Sequence, residues 1–190
     1  MPELPQEIWK DRVENEIETL EKLNVLEKNS VIQSDNSIEV TINIKALGFI
    51  LKNEKDGLDL IPQKKHRVFL KINRSFPYPG GIDFSWHSDI FHPNIHPVEL
   101  STSEIGTGYI CLNVLKKWSR LSDLETTVKA LEMLVENPNP DDPLNYPVCS
   151  EATLFFRDNT MAELREQYDF EDLKIEGAED DDDDIIIIED

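Results

Sequence analysis

Three stretches of alternating apolar residues, with no helical period between them, constrain the fold of this chain more than any other feature. Such alternation is typical of strands that bury one face against a core. The apolar positions are Ile38, Val40, Ile42 and Ile44 in the first stretch, Val68, Leu70 and Ile72 in the second, and Ile82, Phe84 and Trp86 in the third. Successive strands without intervening helices predict an antiparallel meander. We interpret residues 52–65 as a polar turn with a short strand at 58–61.

Helical periodicity flanks the predicted sheet on both sides. Before the strands, apolar residues recur every three or four positions, at Trp9, Val13, Ile17, Leu20 and Leu23. After them a second apolar stripe follows, at Leu124, Val128, Leu131 and Leu134. The stretch from Ser122 to Glu125 has the spacing of a capping box, so we expect this second helix to use Ser122 as its N-cap.

The C-terminal third continues as helix. Three prolines, Pro138, Pro140 and Pro143, end the second helix because proline cannot continue it. Another capping box, from Thr160 to Glu163, begins a final helix toward Tyr168. The whole pattern predicts an α+β fold with an N-terminal helix, an antiparallel β-meander and C-terminal helices.

The net charge is concentrated at one end of the chain. The 190 residues carry a formal charge of −20, and residues 171–190 hold eleven acidic side chains against one lysine. We therefore divide the chain into a folded domain, residues 1–172, and an acidic tail, residues 173–190, that we expect to be disordered. No patch rich in lysine or arginine is present, which argues against nucleic acid and anionic membrane as partners.

The cysteines and the N-terminus indicate the compartment. Two cysteines, Cys111 and Cys149, do not make a disulfide framework. The N-terminal segment lacks the apolar stretch of a signal peptide, and no apolar run approaches the roughly 20 residues that cross a bilayer. We expect a soluble, cytoplasmic protein with free thiols.

Residues 90–115 follow neither the strand nor the helix period. This segment contains two prolines and two glycines, and it lies between the last strand and a helix. Irregular segments of such length in a compact domain are usually functional or disordered. Cys111 lies in this segment, and taken alone it is either a small core residue or a reactive group.

Four landmarks around Cys111 resemble the ubiquitin-conjugating enzyme family. They are FHPNI at 91–95, GYICLNVL at 108–115, Trp118, and PNPDDPLN at 138–145. The resemblance covers roughly Glu7 to Phe170. It implies an enzyme that accepts a ubiquitin-like modifier from an activating enzyme as a thioester and passes it to an amine, usually a lysine, with a ligase or scaffold. It implies no cofactor or metal, since ATP is used by the activating enzyme.

The resemblance also assigns roles to individual residues. Cys111 matches the nucleophile, which cysteine can be without a strong base. Asn94 matches the asparagine that holds the active-site loop, donates to the oxyanion, or does both. Asp142 matches the acidic residue that orients and desolvates the acceptor lysine, with the adjacent Asp141 as the alternative. His92 is expected to support the turn through backbone hydrogen bonds.

The chain departs from the family pattern at three places, one of which is Gly80 and Gly81, where the family has an aromatic residue and paired prolines. Asn94 and Cys111 are seventeen residues apart, where the family usually has about eight, so residues 96–109 contain a polar insertion. The insertion is interpreted as a flap over the thioester or as a partner-specific surface. Residues 119–121 are Ser-Arg-Leu where the family has Ser-Pro-Ala, so we expect a ligase other than the standard RING type. A neddylation-like member and a prokaryotic relative both remain open.

Rival interpretations concern the same residues. A non-catalytic module could keep the fold and dock modifiers or partners, and a cysteine hydrolase would need a basic histidine beside Cys111. Cys149 has no motif around it and is expected to be structural. His92 and His96 are four residues apart, but the prolines that follow each of them break the helix that a metal pair would need.

The tail carries a second short motif. Four isoleucines, Ile185, Ile186, Ile187 and Ile188, are flanked by aspartates and glutamates and resemble a SUMO-interacting motif. In such motifs a β-branched segment adds a strand to the sheet edge of a modifier, and the acidic residues meet its basic surface. We predict that the tail recruits the modifier or a partner. The alternatives are a solvated acidic segment and a ligand for a basic groove on a ligase or activating enzyme.

Overall fold

A four-stranded antiparallel sheet lies at the centre of the fold. The computed structural model describes residues 3–54, 57–111 and 123–168. In chain order the elements are α1 (Gln6–Lys22), β1 (Ile32–Gln33), β2 (Ser37–Glu54), β3 (Gly57–Asn73), β4 (Ile82–Trp86), β5 (Ile95–His96), β6 (Tyr109–Ile110), α2 (Leu124–Glu136), α3 (Pro147–Asp158) and α4 (Met161–Gln167). The sheet order is β1-β2-β3-β4, and β5 and β6 form a separate pair. The predicted α+β class is confirmed. Within these ranges no helix is long and apolar enough to cross a membrane.

The main core lies between the sheet and the helices α1 and α2. The alternating side chains of the three predicted strands are buried there, apart from Phe84, which is half-buried. The stripe on α2 packs against them, and each fully buried aliphatic side chain contributes about 1.5–3 kcal/mol. Trp9 of α1 is fully buried, and its indole Nε1 donates to the carbonyl of Asn73 at 3.0 Å. The predicted helix faces are therefore the ones that pack on the sheet, except that Leu23 lies beyond the end of α1 and is exposed.

A buried carboxylate joins α1 to the start of α2. Glu16 accepts from the backbone N–H of Leu124 at 2.8 Å and from Nε of Arg12 at 2.9 Å. The first N–H groups of a helix have no partner within the helix, and they favour negative charge. Glu16 therefore satisfies one of these groups across 108 residues of sequence.

The hairpin of β2 and β3 is much longer than the sequence indicates. Residues 52–65 are not a polar turn, because pairing continues past a bulge at Lys45–Gly48 and runs out to Glu54 opposite Gly57. We call residues 48–63 the hairpin arm. Phe49, Leu51 and Leu60 of the arm belong to a cluster with residues of the C-terminal helices. This long-range burial stabilises strand structure in a segment whose local composition favours a turn.

The hairpin arm and the helices α3 and α4 enclose a second hydrophobic cluster. Its buried members are Leu47, Phe49, Phe91, Val148, Cys149, Ala152, Phe156 and Leu164. The ring of Tyr168 lies 5.5 Å from that of Phe49, and its hydroxyl donates to the carbonyl of Leu60 at 2.9 Å. Helix α3 is absent from the sequence prediction, although Pro147 at its first turn and the spacing of Val148, Ala152 and Phe156 are helical signals.

The bulge brings backbone onto a buried imidazole. A Cβ at Gly48 would lie 2.8 Å from Cε1 of His66, so only glycine allows this approach. His66 is fully buried, and its Nε2–H donates to the carbonyl of Ala46 at 3.1 Å. Burial lowers the pKa of His66 to about 4, so the ring is neutral at physiological pH.

The two predicted helix starts have different outcomes. The capping box of α4 is confirmed, with Thr160 and Glu163 each accepting from the other's backbone N–H. Helix α2 instead uses Asp123 as its N-cap, and this carboxylate accepts from the N–H of Thr126 at 2.7 Å. Aspartate caps as well as serine does, which explains the one-residue shift. Ser122 lies outside the described residues.

Replacing Asp123 tests this assignment. Asp123→Ala should lower the free energy of unfolding by about 1 kcal/mol, since it removes the acceptor for an N–H of the first turn. Ser122→Ala should change it by less than about 0.5 kcal/mol. Urea denaturation of both variants measures the difference, and an effect confined to Ser122→Ala would contradict the cap seen here.

Candidate active site

The pairing of β5 with β6 brings Asn94 next to Cys111. Ile95 lies opposite Ile110 and His96 opposite Tyr109 in this short ladder. The ladder continues by one bond, in which the N–H of Cys111 donates to the carbonyl of Asn94 at 2.8 Å. The insertion is therefore closed at its base, and the longer spacing does not separate the two residues.

The side chain of Asn94 holds the proline-rich loop, residues 138–145. Asn94 is fully buried, and its Nδ2 donates to the carbonyls of Asn139 at 3.0 Å and Asp142 at 2.8 Å. Its Oδ1 accepts from the N–H of Asn139 at 2.7 Å. Both amide hydrogens are thus bound to the loop. Donation to an oxyanion would have to replace one of these bonds.

His92 supports the backbone of Asn94 and connects it to the end of α2. Its Nε2–H donates to the carbonyl of Leu134 at 3.0 Å, and its Nδ1 accepts from the N–H of Asn94 at 3.1 Å. Burial lowers the pKa of His92 to about 3, so the ring is neutral with its proton on Nε2. Protonation of Nδ1 would break the bond to Asn94. This geometry suits a supporting residue.

Asp141 and Asp142 are exposed carboxylates on a loop whose backbone is fixed. Asn94 holds the carbonyl of Asp142, and the N–H of Leu144 donates to the carbonyl of Pro93 at 2.9 Å. The loop is therefore tied on both sides of its acidic pair to the segment that pairs with Cys111. The carboxylates of Asp141 and Asp142 thus stay exposed to solvent on a loop that is bonded to Pro93 and Asn94.

The insertion packs on the domain instead of projecting from it. The N–H of Val98 donates to the carbonyl of Trp86 at 2.8 Å, and the N–H of Trp86 donates to the carbonyl of Gly108 at 2.9 Å. Asp89 accepts from the N–H and the hydroxyl of Ser101. Both arms of the insertion therefore contact the end of β4, as in a folded loop.

The two thiols have different environments. Cys111 retains 9% of its surface at the edge of the main core, whereas Cys149 is fully buried. The Sγ of Cys149 donates to the carbonyl of Ile95 at 3.4 Å, and burial raises the pKa of this thiol to about 12. A thiolate is the reactive form of cysteine, so this environment makes Cys149 unreactive.

Neither His92 nor His96 is placed as a metal ligand. His92 is bonded to backbone, and the buried ring of His96 lies between Thr107 Oγ1, 2.6 Å from Nδ1, and Glu104 Oε1, 3.0 Å from Nε2. Across residues 3–54, 57–111 and 123–168, no group of three His, Cys, Asp or Glu side chains could hold a metal ion.

Several predicted features lie outside the described residues. They are Trp118, the Ser-Arg-Leu segment at 119–121, and the tail with Ile185, Ile186, Ile187 and Ile188. Sequence reasoning also missed residues that matter here. Asn139 is the main partner of the Asn94 side chain, and it lies in the PNPDDPLN landmark without having been singled out there. Glu104 binds His96, and no local pattern marks it.

The ubiquitin-conjugating enzyme family model matches residues 12–163, which include β5, β6, the proline-rich loop and Cys111. The chain therefore belongs to the ubiquitin-conjugating enzyme family. The structure of Ubc12 from Saccharomyces cerevisiae shares the fold, with a TM-score of 0.52 and 23% identity over 80% of this chain and 74% of that one.

Curated relatives carry different names within the family. The chain is 29% identical over 157 residues to the NEDD8-conjugating enzyme UBC12 of Saccharomyces cerevisiae, covering 65% of this chain and 79% of the relative. It is 43% identical over 116 residues to the ubiquitin-conjugating enzyme E2 N of Drosophila melanogaster, covering 53% of this chain and 75% of the relative. The recognised family is thus confirmed.

The buried histidines predict a pH dependence of stability. The pKa values of His66 and His92 lie below their ordinary value of 6.5, at about 4 and about 3. The unfolded chain therefore takes up these protons first, and stability is lost as the pH falls from 6.5 toward those values. The expected slope is roughly 1.4 kcal/mol per pH unit for each histidine.

Denaturant titrations at pH 6 and pH 5 measure this slope. His92→Gln should reduce it by about 1.4 kcal/mol per pH unit, and His66→Gln by a similar amount, whatever each variant does to stability at pH 7. Equal slopes in the wild type and in both variants would show that these rings do not remain neutral in the folded protein.

Proposed function

We propose that this chain accepts a ubiquitin-like modifier from an activating enzyme as a thioester on Cys111 and transfers it to a lysine amine. The observation that carries the proposal is the bond from the Cys111 N–H to the Asn94 carbonyl, which keeps the motif and the cysteine adjacent despite the insertion. The two curated relatives are named for different modifiers, so the proposal specifies a ubiquitin-like modifier and no single one.

The first step is exchange of one thioester for another. The Cys111 thiolate attacks the carbonyl carbon at the modifier's C-terminus and a new C–S bond forms. The C–S bond to the activating enzyme breaks, and the cysteine of that enzyme leaves as a thiolate. A thioester divides amide formation into two easier steps. ATP is consumed earlier, on the activating enzyme, so this chain needs no cofactor.

The second step forms the isopeptide bond. The neutral lysine amine attacks the thioester carbonyl, a C–N bond forms, the C–S bond breaks, and the amine proton returns the departing Cys111 thiolate to a thiol. Asp142, with Asp141 beside it, guides the amine, while Asn94 keeps their loop in place. Carboxylates alone stabilise the charged ammonium form, so desolvation of the amine must favour the neutral form.

A charging assay tests the first step. The full chain, a candidate modifier, its activating enzyme and ATP should give an adduct of one modifier that reductant removes. Cys111→Ala should abolish the adduct, and Cys111→Ser should convert it to a reductant-resistant oxyester. Cys149→Ala is the matched control and should charge like the wild type, because the pKa of that thiol is raised to about 12.

Two outcomes of this assay would count against the proposal. A reductant-sensitive adduct that survives in Cys111→Ala would place the thioester elsewhere. The absence of any adduct with each cognate pair of modifier and activating enzyme would favour the non-catalytic binding module.

Discharge of the preformed thioester to free lysine tests the second step. Asp142→Asn keeps the shape of the side chain and the backbone bond to Asn94 but removes the charge. It should slow discharge roughly tenfold, which corresponds to about 1.4 kcal/mol in the barrier. Charging should be unaffected. A larger effect of Asp141→Asn would transfer the role to that residue, and wild-type rates in both would remove the carboxylates from the mechanism.

A further inference from the structure

Two lysines lie directly opposite each other on the outer face of the sheet. Lys45 of β2 and Lys65 of β3 are cross-strand neighbours, and both are exposed because the residues next to them, Ile44 and His66, face the core. Like charges directly opposite each other in an antiparallel pair are destabilising. In a chain with a formal charge of −20, such a pair is an unfavourable arrangement that an anion would relieve.

Lys28 adds a third positive charge at the same place. Lys28, Lys45 and Lys65 line a groove of about 430 Å³, which we call the lysine groove. The three come from separate stretches of the sequence, so the sequence itself shows no basic patch. Glu27 also lines the lysine groove, but its carboxylate accepts from Nε and Nη2 of Arg67 at 2.7 and 2.8 Å. The lysine groove therefore keeps a net positive charge and suits an anionic occupant.

The edge of the sheet beside the lysine groove is exposed and apolar. Strand β1 is the outer strand, and Val31 and Ile32 keep 41% and 63% of their surfaces exposed. Ser30 fixes this edge to β2, since its hydroxyl donates to the Thr41 carbonyl at 3.1 Å and accepts from the Thr41 N–H at 3.2 Å. An exposed edge with apolar side chains is a template for pairing with another strand unless something covers it.

The lysine groove and the exposed edge lie along the same strand. Ile32 lies opposite Glu39, which precedes Lys45 by six residues on β2. Six residues of extended chain span about 20 Å, and even spacing keeps both positions on one face of the sheet. A segment that occupies both surfaces therefore has anionic residues about six positions away from β-branched apolar ones.

The acidic tail has this pattern. Five consecutive aspartates, residues 180–184, are followed directly by four isoleucines, residues 185–188. Asp181 and Ile187 are six positions apart, as the surfaces require. Isoleucine favours strand structure, so the apolar part of the tail suits pairing along β1.

The tail is also long enough to reach this edge in the same chain. The last described residue, Tyr168, contacts Phe49 with 5.5 Å between ring centroids. Phe49 is ten residues from Glu39 on β2, about 33 Å along the strand. The 17 residues from Tyr168 to Ile185 span up to roughly 55 Å when extended, which leaves enough chain to turn around the sheet.

We propose that the acidic tail binds the sheet edge of its own chain, with its aspartates in the lysine groove and its isoleucines paired along β1. Backbone hydrogen bonds hold the added strand, and the lysines fix its position. Because the tail belongs to the same chain, its effective concentration at the edge is on the order of millimolar. The bound tail covers two exposed apolar segments at once, and it competes with any partner that uses the same isoleucines.

Amide hydrogen exchange of the full chain tests the proposal. Exchange at residues 31–33 should be about tenfold slower in the wild type than in Ile186→Ser/Ile187→Ser, because an added strand protects the N–H groups of the edge. Lys45→Glu/Lys65→Glu should also speed this exchange. Protection should weaken at about 1 M salt, where the screening length falls to about 3 Å.

A control and a charge exchange separate binding from a loss of stability. Lys10→Glu changes charge on α1, roughly 18 Å along the helix axis from its end, and should exchange like the wild type. Adding Asp181→Lys/Asp183→Lys to the chain that carries Lys45→Glu/Lys65→Glu should restore slow exchange at the edge. A general loss of stability would not be reversed in this way.

Three outcomes would overturn the proposal. The first is equal exchange at residues 31–33 in the wild type and in Ile186→Ser/Ile187→Ser. The second is protection that increases with protein concentration, which would assign the edge to a second copy of the chain. The third is a charge exchange that restores nothing, which would remove the aspartates from the lysine groove. The measurement needs no modifier or activating enzyme, so its result is independent of the proposed function.

Discussion

One buried asparagine connects the parts of the candidate active site. The backbone carbonyl of Asn94 accepts from Cys111, its N–H donates to His92, and its side chain makes three bonds to the proline-rich loop. A buried amide that lost these partners would carry a desolvation cost of about 1–3 kcal/mol for each unsatisfied group. The cysteine, the acidic pair and the supporting histidine therefore keep their relative positions through a single residue.

Two hydrophobic clusters support this connection from opposite sides. The main core fixes β5, β6 and α2, while the second cluster fixes α3 and the segment around Phe91. Cys149 in the second cluster bonds to the carbonyl of Ile95, one residue after Asn94. The candidate site thus lies where the two clusters meet, with Ile95 in the main core and Cys149 in the second cluster.

The sequence predicts those elements whose buried residues repeat every two to four positions, or whose signal lies within a few neighbouring residues. The alternating strands, α1 and the capping box at Thr160 are of this kind. The prediction of a turn in the hairpin arm was wrong because the strand structure there depends on residues about a hundred positions later in the chain. The bond from the Tyr168 hydroxyl to the Leu60 carbonyl is an example. The structure joins Asn94 to the loop of Asp142 through a bond from its side chain to the Asp142 carbonyl. Glu104 was missed because only the tertiary fold brings it to His96.

The β5–β6 ladder also determines how this region tolerates change in length. Because Asn94 and Cys111 are joined at the base of the insertion, residues can be added to or removed from its tip without moving the cysteine. Doubling the length of a flexible loop costs only about 0.6 kcal/mol in closure entropy. A change of length confined to the tip therefore leaves the reacting atoms in register, so the surface of the insertion and the chemistry at Cys111 can change separately.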